Sequence, residues 1–303
     1  MPPSGDWRAA LEAVPDAAFA AVLEARVTVV IGASDTGKTT LVAALASELA
    51  SRGVRVGVVD SDVGQSEIGP PTTVGFGRIS VRVTRLFDAE PIAFQFVGVS
   101  SPARDVRGVV EATRRMIDRA RAERFEHVLV DTSGLVLGGL GLRLKLEKIQ
   151  ALDPDLLLFL ERGDECAPIA GRYAGASRPR VLRFPAQGRQ GSRTQIARRQ
   201  HRMETIDAYL RNARSVNVAR SAADLPRGLR WADVVGGLCG LDDADGNTIA
   251  LGLVEELADD VMRVLAPLPR SAPVTRVRVG RERKDGTPLA PAPARHGSTP
   301  ADR

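Results

Sequence analysis

Eight consecutive residues, Gly32-Ala33-Ser34-Asp35-Thr36-Gly37-Lys38-Thr39, satisfy the pattern GxxxxGK[ST] at every fixed position. The spacing has a chemical reason. Glycines let successive backbone N–H groups turn inward on phosphate oxygens, Lys38 reaches the β- and γ-phosphates, and the Thr39 hydroxyl can ligate Mg²⁺. The nucleotide-contacting set expected from the motif is Gly32, Ala33, Ser34, Asp35, Thr36, Gly37, Lys38, Thr39 and Thr40. Binding alone leaves the reaction open, because kinases, GTPases, motor ATPases and nucleotide-dependent scaffolds all carry such a loop.

Two further groups bear on the chemistry. Asp60 and Asp62 follow one apolar run and lead into Gly64-Gln65, while Asp131 ends another and leads into Thr132-Ser133-Gly134. A phosphoryl transfer needs one acid to hold the metal and another to take the acceptor's proton. Asp131 is the expected metal-side acid with Thr39, Asp62 the expected base, and Asp60 is as well suited to orienting the loop. Between Gln187 and Arg202 the chain carries Arg189, Arg193, Arg198, Arg199 and Arg202 and no acid. On a helix from Thr194 to Asn212, Arg198 and Arg202 share one face opposite an apolar stripe of Ile196, Met203, Ile206 and Leu210. Like charges four residues apart weaken a helix, so an anion is expected to compensate them, and a transferring phosphoryl group is the candidate.

These residues need a frame that brings them to one place. Val27–Ile31 reads as a buried strand, the leucines Leu41, Leu45 and Leu49 as a helix capped near Gly53, and Val54–Asp60 as a second strand. Alternation continues through strands at Ile92–Val99, His127–Asp131, Leu156–Leu160 and Val181–Phe184, with helices at Asp105–Ala122 and Leu142–Leu152. The expected fold is therefore α/β: a mainly parallel sheet covered by helices on both faces, with its site at the carboxyl ends of the strands. Beyond Arg214 short β segments take over (Ser215–Ala219, Val234–Leu241, Thr248–Glu255, Val274–Val279). The expected division is a P-loop domain over residues 1–214 with an arginine-rich lid near 187–212, a small β domain over 215–283, and an unstructured tail over 284–303.

Composition narrows the class. The chain has 303 residues, a formal net charge of +5 and 44% hydrophobic residues, which suits a globular protein of about two domains. Two cysteines without a CxxC partner exclude a disulfide framework and a structural zinc site. No run reaches the roughly 18 apolar residues of a membrane helix, so a cytoplasmic protein without membrane contact is expected. Only Lys38, Lys145, Lys148 and Lys284 are lysines among the 42 basic residues, so the basic balance is an arginine bias and weak evidence for nucleic acid. His127, His201 and His296 lack ligand spacing, and Trp7 and Trp231 read as packing residues.

With the P-loop, the segment Asp60-Ser61-Asp62-Val63-Gly64-Gln65-Ser66-Glu67-Ile68-Gly69-Pro70-Pro71 resembles the polynucleotide 5′-hydroxyl kinase family, the P-loop RNA kinases of mRNA 3′-end, tRNA and rRNA processing. The likeness extends to Phe96-Val97-Gly98 with Ser101-Pro102, to Asp131-Thr132-Ser133-Gly134, to Pro154-Asp155, to Arg193–Leu210 and to Gly252–Glu256. It implies transfer of the ATP γ-phosphate, with Mg²⁺, to the 5′-hydroxyl of an RNA or DNA end. By this resemblance Asp62 acts on the attacking hydroxyl, Lys38 and Thr39 handle phosphate and Mg²⁺, and lid arginines neutralise the group in flight; Arg198 and Arg202 are the candidates for that task, and Gln65, Arg193 and Arg199 are the candidate contacts to the nucleic-acid substrate. Leu135 stands where many members carry a stacking tryptophan, and Arg104-Asp105 replaces a common Gly-His. The N-terminal β domain of the eukaryotic members is expected to be missing. A scaffold that holds ATP without turnover and a P-loop enzyme acting on a small molecule are the competing readings.

Overall fold

The computed structural model describes residues 16–186, 194–268 and 272–289. Arg189 and Arg193 of the expected lid, together with Trp7 and His296, lie outside the described residues. Helix α1 (Asp16–Glu24) precedes β1 (Val27–Gly32), whose wholly buried VTVVIG run pairs in parallel with β5 (His127–Thr132) on one side and β6 (Leu156–Glu161) on the other. A strand covered on both faces and both edges has no use for polar alternation, which is why β1, β2 (Val56–Ser61) and β6 are nearly continuous apolar runs. Between β1 and β2 runs α2 (Lys38–Ser51), burying Leu41, Leu45 and Leu49. Helices α3 (Val106–Ala122) and α4 (Gly138–Leu152) precede β5 and β6, respectively. After the single turn α5 (Ala167–Ala170), β7 (Arg180–Pro185) completes the parallel set.

The seven-stranded sheet runs β4-β3-β2-β5-β1-β6-β7. Its β3 (Thr73–Ile79) and β4 (Glu90–Phe96) are antiparallel additions at one edge. The first of these escapes a sequence reading because Gly75 and Gly77 look like turn punctuation. In the fold Gly75 is a packing requirement: a Cβ there would fall 1.8 Å from the carbonyl oxygen of Ile68, so the loop after β2 can lie across β3 only over a glycine.

A second sheet of six strands, ordered β8-β12-β11-β10-β13-β9, comprises β8 (Arg214–Ala219), β9 (Ala223–Asp224), β10 (Gly237–Asp242), β11 (Thr248–Leu257), β12 (Val261–Ala266) and β13 (Arg276–Arg283). The alternation of β12, with Met262, Val264 and Ala266 inward, belongs to a tight hairpin with β11 that the sequence reading leaves out. The expectation of an unstructured tail from residue 284 fails for its described part. Leu289 is buried, its N–H donates to Arg281 O at 2.8 Å, and Pro288 bridges to Glu282.

The two sheets meet along β4. Phe96 joins Leu238 and Leu251 of the second sheet and Ile206 and Leu210 of α6 (Gln195–Leu210) in one apolar cluster, so the same contact that docks the sheets also anchors the arginine-rich helix. Ile206 and Leu210 thus occupy the expected stripe, while Ile196 is 81% exposed and lies outside it. Polar bonds frame the cluster: Arg278 Nη1 donates to Phe96 O at 2.8 Å, and its Nε and Nη2 hold the buried carboxylate of Asp242 at 2.5 and 3.1 Å. Among the described residues no helix is long and apolar enough to cross a membrane. Because the substitution leaves the partly buried Arg278 guanidinium without its carboxylate, Asp242→Ala is expected to destabilise the protein by about 3 kcal/mol, read as a lowered chemical-denaturation midpoint.

Candidate active site

The P-loop takes its shape from two left-handed positions, Asp35 (φ 59) and Gly37 (φ 92), the second serving as the N-cap of α2 with no side-chain bond. The first-turn N–H groups of α2 therefore have no capping side chain and form an anion site with the helix dipole behind them. Lys38 lies buried across the loop, its Nζ donating to Ala33 O at 2.6 Å; Thr36 Oγ1 donates to the same oxygen at 3.0 Å. Gly32 abuts Leu160 O and Thr36, where a Cβ would fall 2.2 Å from the former. Ser34 and Asp35 are held from outside by Arg162, which donates to both their carbonyl oxygens. Thr39 and Thr40 follow in the first turn of α2, half-buried.

The acids arrive by sheet register. Asp60 of β2 pairs opposite Asp131 of β5, and Ser61 opposite Thr132, so adjacent parallel strands bring two carboxylates to one edge. Thr39 Oγ1 donates to Asp131 Oδ2 at 2.6 Å, while among the described residues Asp131 Oδ1 is buried without a partner. Asp60 is a loop organiser: it accepts from the N–H groups of Asp62 (3.1 Å), Glu67 (2.6 Å) and Ile68 (3.1 Å) and from Ser66 Oγ (3.3 Å). Asp62 stands farther out and half-buried, its Oδ1 accepting from Gly64 N at 3.0 Å and Gln65 N at 3.2 Å. Among the described residues its Oδ2 accepts no hydrogen bond. Burial pushes the carboxyls of Asp60 and Asp131 up, and Asp60 is pushed further by Asp131, whereas Lys38 and the Thr39 hydroxyl draw Asp131 back.

Two lysines that the sequence reading left unassigned hold these strand ends from beneath. On α4, Lys145 Nζ donates to Thr132 Oγ1 at 2.9 Å and Ser133 O at 2.6 Å, gripping the end of β5 beside Asp131. Lys148, one turn on, donates to Ser61 Oγ at the end of β2; Ser61 and Thr113 share a 2.7 Å bond, and Thr113 donates to Val109 O. Both ammonium groups are buried. Burial lowers Lys145 well below the ordinary range and Lys148 to about 8, while Asp62, Asp131 and Asp60 pull the latter back up. The signal was available: three of four lysines in an arginine-biased chain converge here, where a compact three-donor ammonium fits and a planar guanidinium does not.

The segment Thr132-Ser133-Gly134 crosses the P-loop so closely that a Cβ on Gly134 would lie 2.3 Å from Ser34 Oγ. Leu135, at the position of the stacking tryptophan, is half-buried and packs against the main core. Above the loop lies α6, capped by Thr194 through a 3.2 Å bond from Ala197 N. Arg198 Nη2 donates to Asp35 Oδ2 at 3.1 Å, so the expected anion beside the helix is supplied, among the described residues, by the P-loop itself. Arg199 instead pairs with Asp285 beyond β13, and Arg202 makes no hydrogen bond to the described residues. Among the described residues, the Nε atoms of Arg198 and Arg202 are both buried without partners. Gln65 sits in the turn after Asp62. His201 is exposed, and Trp231 packs in the second sheet's core beneath the guanidinium of Arg220.

The protein-family model described as the mRNA cleavage and polyadenylation factor CLP1 P-loop matches residues 32–212, from the first P-loop glycine to the end of the lid helix. The chain is 37% identical over 188 residues to the polyribonucleotide 5′-hydroxyl-kinase of Pyrococcus furiosus, covering 62% of this chain and 51% of that protein. Against the enzyme of the same name from Methanocaldococcus jannaschii the figures are 32% over 190 residues, 63% and 52%. The chain thus spans about half the length of these curated relatives. A solved structure of a Clp1p–Pcf11p complex superposes with a TM-score of 0.66 over 84% of this chain and 74% of that one at 15% identity, a likeness of fold. With the family model covering well over half the sequence, from cradle through acids to lid, the chain belongs to the CLP1 P-loop family.

Proposed function

We propose that this protein transfers the γ-phosphate of ATP to the 5′-hydroxyl of a polynucleotide, an RNA or DNA end. The observation that carries the reading is the 3.1 Å bond between Arg198 of the lid and Asp35 of the P-loop: the arginine helix lies over the nucleotide cradle, on the edge of the sheet where Asp62 stands. In this reading Asp62 accepts the proton of the 5′-hydroxyl as its oxygen bonds to the γ-phosphorus, the bond from that phosphorus to the bridging oxygen breaks, and ADP leaves. Lys38 and the N-terminal amides of α2 hold the phosphates; Arg198 and Arg202, each with a buried Nε that has no partner among the described residues, neutralise the charge that gathers on the transferring group. Gln65, Arg199 and, outside the described residues, Arg193 are assigned to the acceptor side.

The donor set for Mg²⁺ fits. Asp131 offers a buried oxygen without a partner, next to the Thr39 hydroxyl, and the few protein ligands suit an ion that fills its remaining positions with water and phosphate oxygens. When bound, Mg²⁺ supplies positive charge against the β- and γ-phosphate oxygens. Two buried, unpaired thiols, Cys166 and Cys239, support placement in a reducing compartment such as the cytoplasm.

Incubation with ATP labelled at the γ-position and a 5′-hydroxyl oligonucleotide is expected to label the oligonucleotide; ATP hydrolysis without transfer overturns the reading in favour of a small acceptor. Asp62→Asn is expected to lower turnover at least 10²-fold. For Arg198→Ala the expected loss in turnover is about 10³-fold with a far smaller change in ATP affinity, and an equal loss in both removes the lid from the chemistry. Acceptor binding, measured by titration at rising salt, is expected to weaken steeply as phosphate contacts release counterions.

A further inference from the structure

The C-terminal sheet reaches into the acceptor side of the site through one carboxylate. Glu282, on β13, is 1% exposed. Its Oε2 accepts from the N–H of Ser100 at 2.9 Å and its Oε1 from Arg104 Nη1 at 2.6 Å. Ser100 in turn abuts the turn that carries the proposed base: a Cβ on Gly64 would lie 2.6 Å from Ser100 O, and the Gly64 N–H is bonded to Asp62. Arg202 lies within the electrostatic reach of both Glu282 and Asp62, with its guanidinium packed on Gly286 just beyond β13. Asp62, Ser100, Glu282, Arg202 and Arg104 therefore form one continuous wall. The neighbouring Asp105 has a separate task, capping α3 through a 2.8 Å bond from Gly108 N.

Arg104 is the outward member of that wall. Its side chain is 42% exposed while its partner is buried, and among the described residues its Nε and Nη2 take no protein partner. A guanidinium pinned at one nitrogen by an interior carboxylate keeps its orientation and presents its remaining N–H donors to solvent, an arrangement matched to a phosphate. A phosphate oxygen accepts from those donors with a charge assistance that a neutral hydroxyl lacks.

We propose that Arg104, aimed by Glu282 of the C-terminal sheet, binds the phosphate on the 3′ side of the acceptor's first nucleotide and so selects nucleotide and polynucleotide acceptors over nucleosides. The inference rests on the kinase reading above. Glu282 acts here as a positioning residue, touching no acceptor atom itself.

The test compares kcat/KM for a nucleoside, the matching nucleoside 3′-monophosphate and a 5′-hydroxyl oligonucleotide. The unaltered protein is expected to favour the two phosphate-bearing acceptors at least tenfold, and Arg104→Gln to shrink that preference about tenfold, the loss of a charge-assisted hydrogen bond. Glu282→Gln gives a sign that distinguishes aiming from bulk charge. Removing a negative charge raises the positive field and would strengthen phosphate binding, whereas loss of the anchor shrinks the preference, and the latter is expected. A preference ratio unchanged in Arg104→Gln, whatever happens to overall activity, overturns the proposal even where Glu282→Gln fails to fold. No transfer to any 5′-hydroxyl acceptor by the unaltered protein would instead bring down the kinase reading, and this inference with it.

Discussion

Buried charge at the carboxyl edge of the parallel sheet is the constraint around which the rest is arranged. Register alone puts Asp60 and Asp131 side by side, and Asp62 stands two residues farther along the same turn. Carboxylates gathered in a low-dielectric place repel one another and lose hydration, so they persist only with donors and counter-charges built around them. The fold supplies these from three directions: Lys38 from the P-loop side, Lys145 and Lys148 from α4 underneath, and backbone N–H groups from the turn over residues 62–68. Each donor also fixes the geometry of a strand end, so charge compensation and positioning are one set of bonds.

The same logic explains why a β sheet is appended to a nucleotide-binding core. A lid helix whose first turns carry arginines repels itself and gains little from its own sequence. Its far end is held by Ile206 and Leu210 against Phe96, Leu238 and Leu251, a cluster that exists only where the two sheets meet. Its charged face is tied at Asp35 on one side and at Asp285 on the other. The C-terminal sheet thus sets where the helix lies relative to the P-loop, and through Glu282 it holds the backbone at Ser100 as well.

The sequence reading recovered the elements whose local signals agree with their burial. The P-loop, the strands β1, β2, β5 and β6 and the helices α2 and α3 are legible because a buried parallel strand is an apolar run and a two-faced helix repeats its leucines and valines every three or four residues. It passed over β3, whose glycines answer to the carbonyl of Ile68 passing overhead, and β12, whose pattern makes sense only against β11. It left Lys145 and Lys148 unassigned for a related reason: nothing near them in sequence says that α4 turns their side chains beneath the ends of β2 and β5.

By itself the sequence determined the phosphate cradle, the acids just past the strands and the run of arginines, because those chemistries depend on residue type and on spacings of a few positions. Tertiary structure decided which of them meet. Whether Arg198 reaches Asp35, which of Asp60 and Asp62 is tied down by backbone N–H groups on both oxygens, and that a glutamate some 180 residues away anchors Arg104 are outcomes of strand register and of the contact between two sheets. Those depend on distances between segments remote along the chain, and no local spacing encodes them.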